Sequence, residues 1–307
     1  MRTAISIDFD FFVWSGAHAR LQGVSPVDGK PIGIDGGIMF DWGHRESDSV
    51  QLAAWMWLSR WMGIASWGLN PEQTATLRPD QDCTPIDTFV DELDRRFELN
   101  DPTLWIADSH SYGYPTVMNA ASDGDRPIEQ LVSFDAHHDL GYNRGALAEQ
   151  RREGLLSCES WLYHALRLGH VERVTIVYPD WLGLSEWKGV RSSSWLRRLH
   201  GRIDALTWTD WLAATAAAER ADAEIIFAAR SSAWVPPWTD TGFAELVERL
   251  ASSTGEPTCW DCLTAGGEHK VGSHDACTPR VWDRARAQDE AAKTTARMRS
   301  GAATVGG

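Results

Sequence analysis

Short apolar runs rich in β-branched residues recur at 3–12, 103–107, 130–134, 173–178, 203–208 and 224–229. Between several of them, apolar positions return at helical spacing over 49–64, 86–99, 159–168, 211–220 and 243–252. Leu52, Trp55, Met56, Trp61 and Met62 give the first of these helices a largely buried pattern. Asp48 is placed to cap it, and Gly169 follows the last turn of the third. Strands that alternate with helices predict an α/β fold, its mostly parallel central sheet covered on both faces. No internal repeat or low-complexity linker interrupts the pattern, so 1–284 reads as a single domain. Residues 285–307 are polar, rich in Ala and Arg, and end in GAATVGG, which predicts a frayed helix and a flexible end. The stretch 31–37 (PIGIDGG) falls in a long loop and lacks the spacing of a nucleotide fingerprint.

Composition changes this picture in three ways. The 307 residues carry 29 basic and 43 acidic side chains, a net charge of −14. Nucleic acid is therefore an unfavourable partner, because phosphate binding needs clustered Lys and Arg, whereas a cationic substrate suits the balance. No apolar run reaches the ~18–20 residues of a membrane span, and the first residues lack the layout of a signal peptide. With only five cysteines, unevenly placed, the expected compartment is a reducing cytoplasm. Tryptophan (17) outnumbers phenylalanine (9) and tyrosine (5), and such residues favour cores and clefts. Trp14, Trp42, Trp234 and Trp238, in loops, are candidate cleft walls.

Candidate chemistry gathers where predicted strands end, which is where α/β sheets bind ligands. The first strand runs through Ser6-Ile7-Asp8-Phe9-Asp10. The second runs into Asp108-Ser109-His110-Ser111, and the third into Asp135-Ala136-His137-His138-Asp139. In extended backbone, residues i, i+2 and i+4 share a side. Asp135, His137 and Asp139 therefore converge if the chain stays near-extended past the strand end, as do Asp8 and Asp10. With His110 the set holds four carboxylates and two imidazoles, a donor mixture suited to Mn²⁺. So much negative charge suggests two ions with bridging carboxylates. Each fragment alone also fits a solvated turn, a helix cap or a hydrogen-bonded histidine.

These motifs resemble those of the arginase (ureohydrolase) superfamily. Residues 133–139 match its D-A-H-x-D motif in full, and 6–10 match the first half of its S-x-D-x-D-x-x-D-P motif. Residues 107–111 weakly match G-G-D-H-S, keeping only His110 and Ser111. The S-x-D-x-D element is N-terminal here, whereas in ordinary arginases it follows the D-A-H-x-D strand. The resemblance thus implies a three-layer arginase-like fold with a rearranged strand order. It is most similar to the atypical enzymes of peptide natural-product maturation, which convert arginine side chains of a precursor peptide to ornithine and release urea.

By that resemblance, His110, Asp135, Asp139 and Asp8 hold one Mn²⁺, and Asp135, His137, Asp8 and Asp10 the other, with Asp135 and Asp8 bridging. A water between the ions attacks the guanidinium carbon, and Asp139 carries the proton to the leaving amine. His138 is the unmatched position of the motif and is expected to be exposed. A guanidinium wants a carboxylate partner, for which Asp41, Glu46, Glu159 and Asp180 are candidates, with Trp234 on the cleft rim. Cys259, Cys262, His274 and Cys277 offer a weak zinc pattern that ordinary reduced cysteines explain as well. Other readings are a small-molecule amidinohydrolase, a one-zinc deacetylase-like hydrolase using His137-His138, and a non-catalytic, metal-dependent peptide-binding module.

Overall fold

The structure is a computed structural model that describes residues 1–15, 23–24, 31–32, 72, 75–77, 83–142, 144–153, 156–232, 234–260 and 285. Among the described residues twelve strands are β1 (Thr3–Asp8), β2 (Trp14–Ser15), β3 (Gly23–Val24), β4 (Pro31–Ile32), β5 (Ala75–Thr76), β6 (Phe97–Glu98), β7 (Thr103–Ala107), β8 (Ile128–Phe134), β9 (Val171–Tyr178), β10 (Ile203–Thr207), β11 (Ala221–Ala229) and β12 (Thr258–Cys259). Seven α-helices among the described residues are α1 (Ile86–Arg96), α2 (Gly113–Asp123), α3 (Arg144–Glu153), α4 (Trp161–Leu168), α5 (Ser185–Ser192), α6 (Trp208–Thr215) and α7 (Asp240–Thr254). The main sheet runs β10-β9-β8-β1-β11-β7-β12, with β6 paired to β11, and every pairing in it is parallel. Helices cover both faces, as the alternation predicts.

Alternation along β1 divides the core. Ile5 and Ile7 face one side, packing with Phe89 and Leu93 of α1, Trp208 and Trp211 of α6, and Phe243 and Leu246 of α7. Ala4 faces the other, with Val117 of α2, Trp161 and Leu162 of α4 and Val190 of α5. Thus α1, which follows β1 along the chain, lies on one face, and α4, which follows β8, lies on the opposite one. The adjacent strands β1 and β8 feed opposite layers, and their carboxyl ends open the crevice in which such sheets bind ligands.

Several predicted boundaries move for local reasons. The run 3–12 is not all strand: β1 stops at Asp8, and Phe9–Phe12 form a 3-10 turn. Asp8 Oδ1 accepts the Asp10 N–H at 3.2 Å and caps that turn, which buries Phe9, Phe11 and Phe12 together. The helix predicted over 86–99 ends at Arg96, and Phe97–Glu98 instead pair with β11. The 211–220 helix begins at Trp208, where Thr207 Oγ1 caps it by accepting Asp210 N–H at 3.2 Å. The 159–168 helix splits into a 3-10 turn (Cys158–Ser160) and α4, which Gly169 ends at φ 81° as expected. The helix at 49–64, its Asp48 cap, most of 31–37, and Cys262, His274 and Cys277 lie outside the described residues, as does the tail apart from Ala285. Cys259 is buried on β12. Among the described residues no helix is long and apolar enough to cross a membrane.

Candidate metal centre

Six predicted ligand residues meet at the carboxyl ends of β1, β7 and β8. His110 Nδ1 lies 3.1 Å from Asp8 Oδ2, 3.2 Å from Asp135 Oδ2 and 2.8 Å from Asp139 Oδ2. A short step away, His137 Nδ1 lies 2.7 Å from Asp10 Oδ2 and 3.7 Å from Asp135 Oδ1. Two sets, Asp8–His110–Asp135 and Asp10–Asp135–His137, each bring three ligand atoms within 4.8 Å of one another. Asp135 belongs to both and turns a different oxygen to each imidazole.

Turns, rather than extended strand, produce this convergence. The prediction that Asp135, His137 and Asp139 share a side because the backbone runs straight is therefore corrected. Asp135 Oδ1 accepts the His137 N–H at 2.7 Å, folding the chain just past β8. Asp139 takes a left-handed backbone (φ 47°), which Asp tolerates better than most residues. Asp10 reaches across to β8 because its Oδ1 accepts the Ala136 N–H at 3.1 Å.

Outer contacts orient the ligands. Ser6 Oγ lies 2.8 Å from His110 Nε2, so a hydrogen on Nε2 leaves the Nδ1 lone pair turned toward the carboxylates. Trp161 Nε1 donates to Asp139 Oδ2 at 2.8 Å, and its ring meets His110 edge-on at 5.1 Å. Gly113 makes room for that indole, since a Cβ there would come within 3.0 Å of it. Phe227 of β11 stacks on His110 from 5.8 Å. Ser231, buried and strained at φ 53°, lies close enough to Asp8 to help lower its pKa.

Buried like charges set the protonation. Burial works against the Asp8 anion, but the charge and hydrogen bond of His110 outweigh it and hold its pKa below the ordinary value. Burial raises Asp10, and the neighbouring Asp8 charge adds to the rise. Asp135 is pushed well above the carboxylate range, by burial first and then by Asp139, Asp10 and Asp8. Burial disfavours both imidazolium forms, yet the surrounding carboxylates lift His110 and His137 well above 6.5. One imidazole nitrogen can share one proton, but three carboxylate oxygens crowd His110 Nδ1. A cation in that position would relieve their repulsion, and the oxygen-rich, two-imidazole donor set fits a divalent ion. Chain and charge together define a parallel α/β domain with a buried carboxylate–imidazole centre able to hold a metal ion. This chain matches no protein-family model, no curated protein and no solved structure.

The remaining candidates separate. Trp234 is half-buried, its ring 5.3 Å from His137, so it walls the centre. Trp238 packs instead against the core beneath α7, because the 3-10 turn Pro237–Thr239 turns it inward, which corrects its reading as a cleft wall. Glu159 accepts from Gln150 Nε2 at 3.3 Å, and burial, then the Asp139 charge, raises its pKa. Asp180 accepts Thr209 N–H at 3.0 Å and Thr209 Oγ1–H at 2.8 Å, so it caps the start of α6. Asp41, Glu46 and Trp42 lie outside the described residues, as does the side chain of Trp14. His138 is buried, not exposed: the turn after β8 carries its ring under Tyr142, stacked at 4.1 Å, and Nδ1 accepts the Leu140 N–H at 3.1 Å. Burial and the His137 charge lower its pKa to about 3, so it is neutral.

Two residues at the centre were not singled out from the sequence. Glu186 of α5 brings Oε2 to 4.0 Å from His138 Nε2, and its charge reaches His137 and Tyr178. Tyr178, at the end of β9, is fully buried with no hydrogen-bond partner for its hydroxyl among the described residues. Burial, then Glu186, Asp135 and Asp139, raises its pKa well above 10 and keeps the hydroxyl a donor. Neither belongs to a local motif. Only a carboxylate on a short helix and a tyrosine closing an apolar strand signal them.

Proposed function

We propose that this chain is an arginase-like hydrolase that uses two Mn²⁺ ions to convert arginine side chains of a peptide to ornithine with release of urea. The observation that carries the reading is Asp135, whose two oxygens face two imidazoles, each with a further aspartate beside it. A carboxylate so placed is a bridge in waiting. Asp8, Asp135, Asp139 and His110 would hold one ion, and Asp8, Asp10, Asp135 and His137 the other. When bound, the pair would supply Lewis acidity and acidify a water for attack on the guanidinium carbon.

The chain's own groups do the rest. Ser6 and Trp161 fix the faces that His110 and Asp139 present. Asp139, held by one oxygen to Trp161, is the carboxylate placed to pass a proton to the leaving amine. Glu186 supplies the negative charge that a guanidinium requires, and Tyr178 packs as a buried wall behind it. Trp234 offers a flat apolar face for the side-chain methylenes. His138 stacks on Tyr142 and accepts the Leu140 N–H, whereas His137 stands against Asp10 and Asp135; this difference between the two histidines favours the two-metal reading over a one-zinc deacetylase.

Mass spectrometry tests this. An internal arginine in a peptide is expected to lose about 42 Da (CH₂N₂) on incubation with the Mn²⁺-loaded protein, with free L-arginine turned over poorly because remote contacts raise turnover. In the Glu186→Gln variant the expected change is a KM increase of about tenfold or more at unchanged metal content. An unmodified peptide beside efficiently hydrolysed free arginine would reverse the choice of substrate.

A further inference from the structure

On the helical layer that carries α4, a separate cleft of ≈ 720 Å³ opens between α3, α4 and the segment leading into β10. Its volume lies within the ~300–1,000 Å³ range of ligand-binding clefts. Four arginines line it, Arg144, Arg167, Arg198 and Arg202, and among the described residues the lining includes no acidic one. In a chain with 43 acidic and 29 basic side chains, such a concentration of one sign is unexpected.

The four arginines are not equivalent. Arg202 donates to the carbonyls of Glu172, Leu166 and Val171 at 2.6, 2.9 and 2.5 Å, which fixes the floor and satisfies the carboxyl end of α4. Arg144, Arg167 and Arg198 are exposed and have no hydrogen-bond or ion-pair partner among the described residues. Tyr163 and Trp195 meet edge-on at 5.9 Å and give the cleft an aromatic wall. Three available guanidinium forks around an aromatic surface can grip carboxylates at several points while holding an apolar side chain between them.

We propose that this cleft is a docking site for an acidic peptide segment. Charge complementarity selects an anion, and the net charge of −14 disfavours a long polyanion such as nucleic acid. The guanidiniums stand apart on α3, α4 and the 193–202 segment, which suits carboxylates spaced along a chain better than one compact phosphate. The floor at Arg202 lies at the amino end of β9, but the Tyr163 end of the cleft approaches the metal centre. Tyr163 donates its N–H to the Asp139 carbonyl at 3.3 Å, two residues beyond the Trp161 that holds the Asp139 carboxylate. An acidic segment docked here would belong to the same peptide as the reacting arginine; that extension alone rests on the peptide-hydrolase reading.

Fluorescence anisotropy on the full chain tests the docking itself, without turnover. The probe is a labelled peptide of about ten residues, rich in Asp and Glu with one Phe, beside its Asn/Gln counterpart. The acidic peptide is expected to bind, and the triple variant Arg144→Gln, Arg167→Gln, Arg198→Gln to bind it at least about tenfold more weakly with an unchanged thermal midpoint. Asp135→Asn is expected to bind it as the parent does, so loss of catalysis and loss of docking are read separately. Equal binding by the triple variant, equal binding of the Asn/Gln peptide, or displacement of the probe by inorganic pyrophosphate in preference to unlabelled acidic peptide would overturn the assignment.

Discussion

Asp135→Asn is expected to lower turnover by about a thousandfold or more and to strip most of the metal, while leaving the fold in place. Its side chain is 1% exposed and faces His110 Nδ1 through Oδ2 and His137 Nδ1 through Oδ1. The amide keeps one oxygen to accept the His137 N–H, so the turn after β8 survives. What it loses is the negative charge and the second oxygen donor, and with them the ability to join two cations. Metal content and turnover measured together, with circular dichroism as the fold control, read this out. A variant that keeps both ions and most of its activity would exclude Asp135 as the shared ligand.

Arg230→Met is expected to cost about 3–5 kcal/mol of stability, seen as a fall in thermal midpoint on the order of 10 °C. The side chain is fully buried at the end of β11, with Nε 2.7 Å from Asp108 Oδ1 and Nη1 3.2 Å from Asp240 Oδ2. Methionine fills the volume but removes the charge that Arg230 sets against two buried carboxylates. Ser232 Oγ–H still donates to Asp108 Oδ2 at 2.6 Å, a bond too weak to replace an ion pair. Because Asp108 precedes Ser109-His110, the same change loosens the segment whose imidazole lies 3.1 Å from Asp8. Thermal unfolding of the metal-free chain measures the first effect, and Mn²⁺ affinity the second. An unaltered midpoint would mean the network contributes little.

Central strands were legible in the sequence because a buried parallel strand is a nearly continuous apolar run, and 103–107 reads from end to end as β7. The run 3–12 was misjudged past Asp8 because Phe-Asp-Phe-Phe is as apolar as a strand; only the Asp8 cap distinguishes the turn. Helices α2, α3 and α5 escaped the pattern for different reasons. The first opens Gly-Tyr-Pro, the second is polar and largely exposed, and the third is short, with only Val190 buried. At the centre the ligand types were visible in three strand-end clusters, yet their geometry was not. Side-chain direction after a strand is set by turns such as those at Asp135 and Asp139, which also decide that His138 is buried. Glu186 and Tyr178 come from elements distant along the chain, and only the order β9-β8-β1 brings them together.

The central claim is a dinuclear centre, and metal titration of the chelator-stripped protein with Mn²⁺ tests it most directly. Asp8, Asp10, Asp135 and Asp139, with His110 and His137, supply two donor sets joined through Asp135. The account predicts about two equivalents of Mn²⁺ per chain in the catalytically active sample. An active sample that binds one equivalent or none would contradict it.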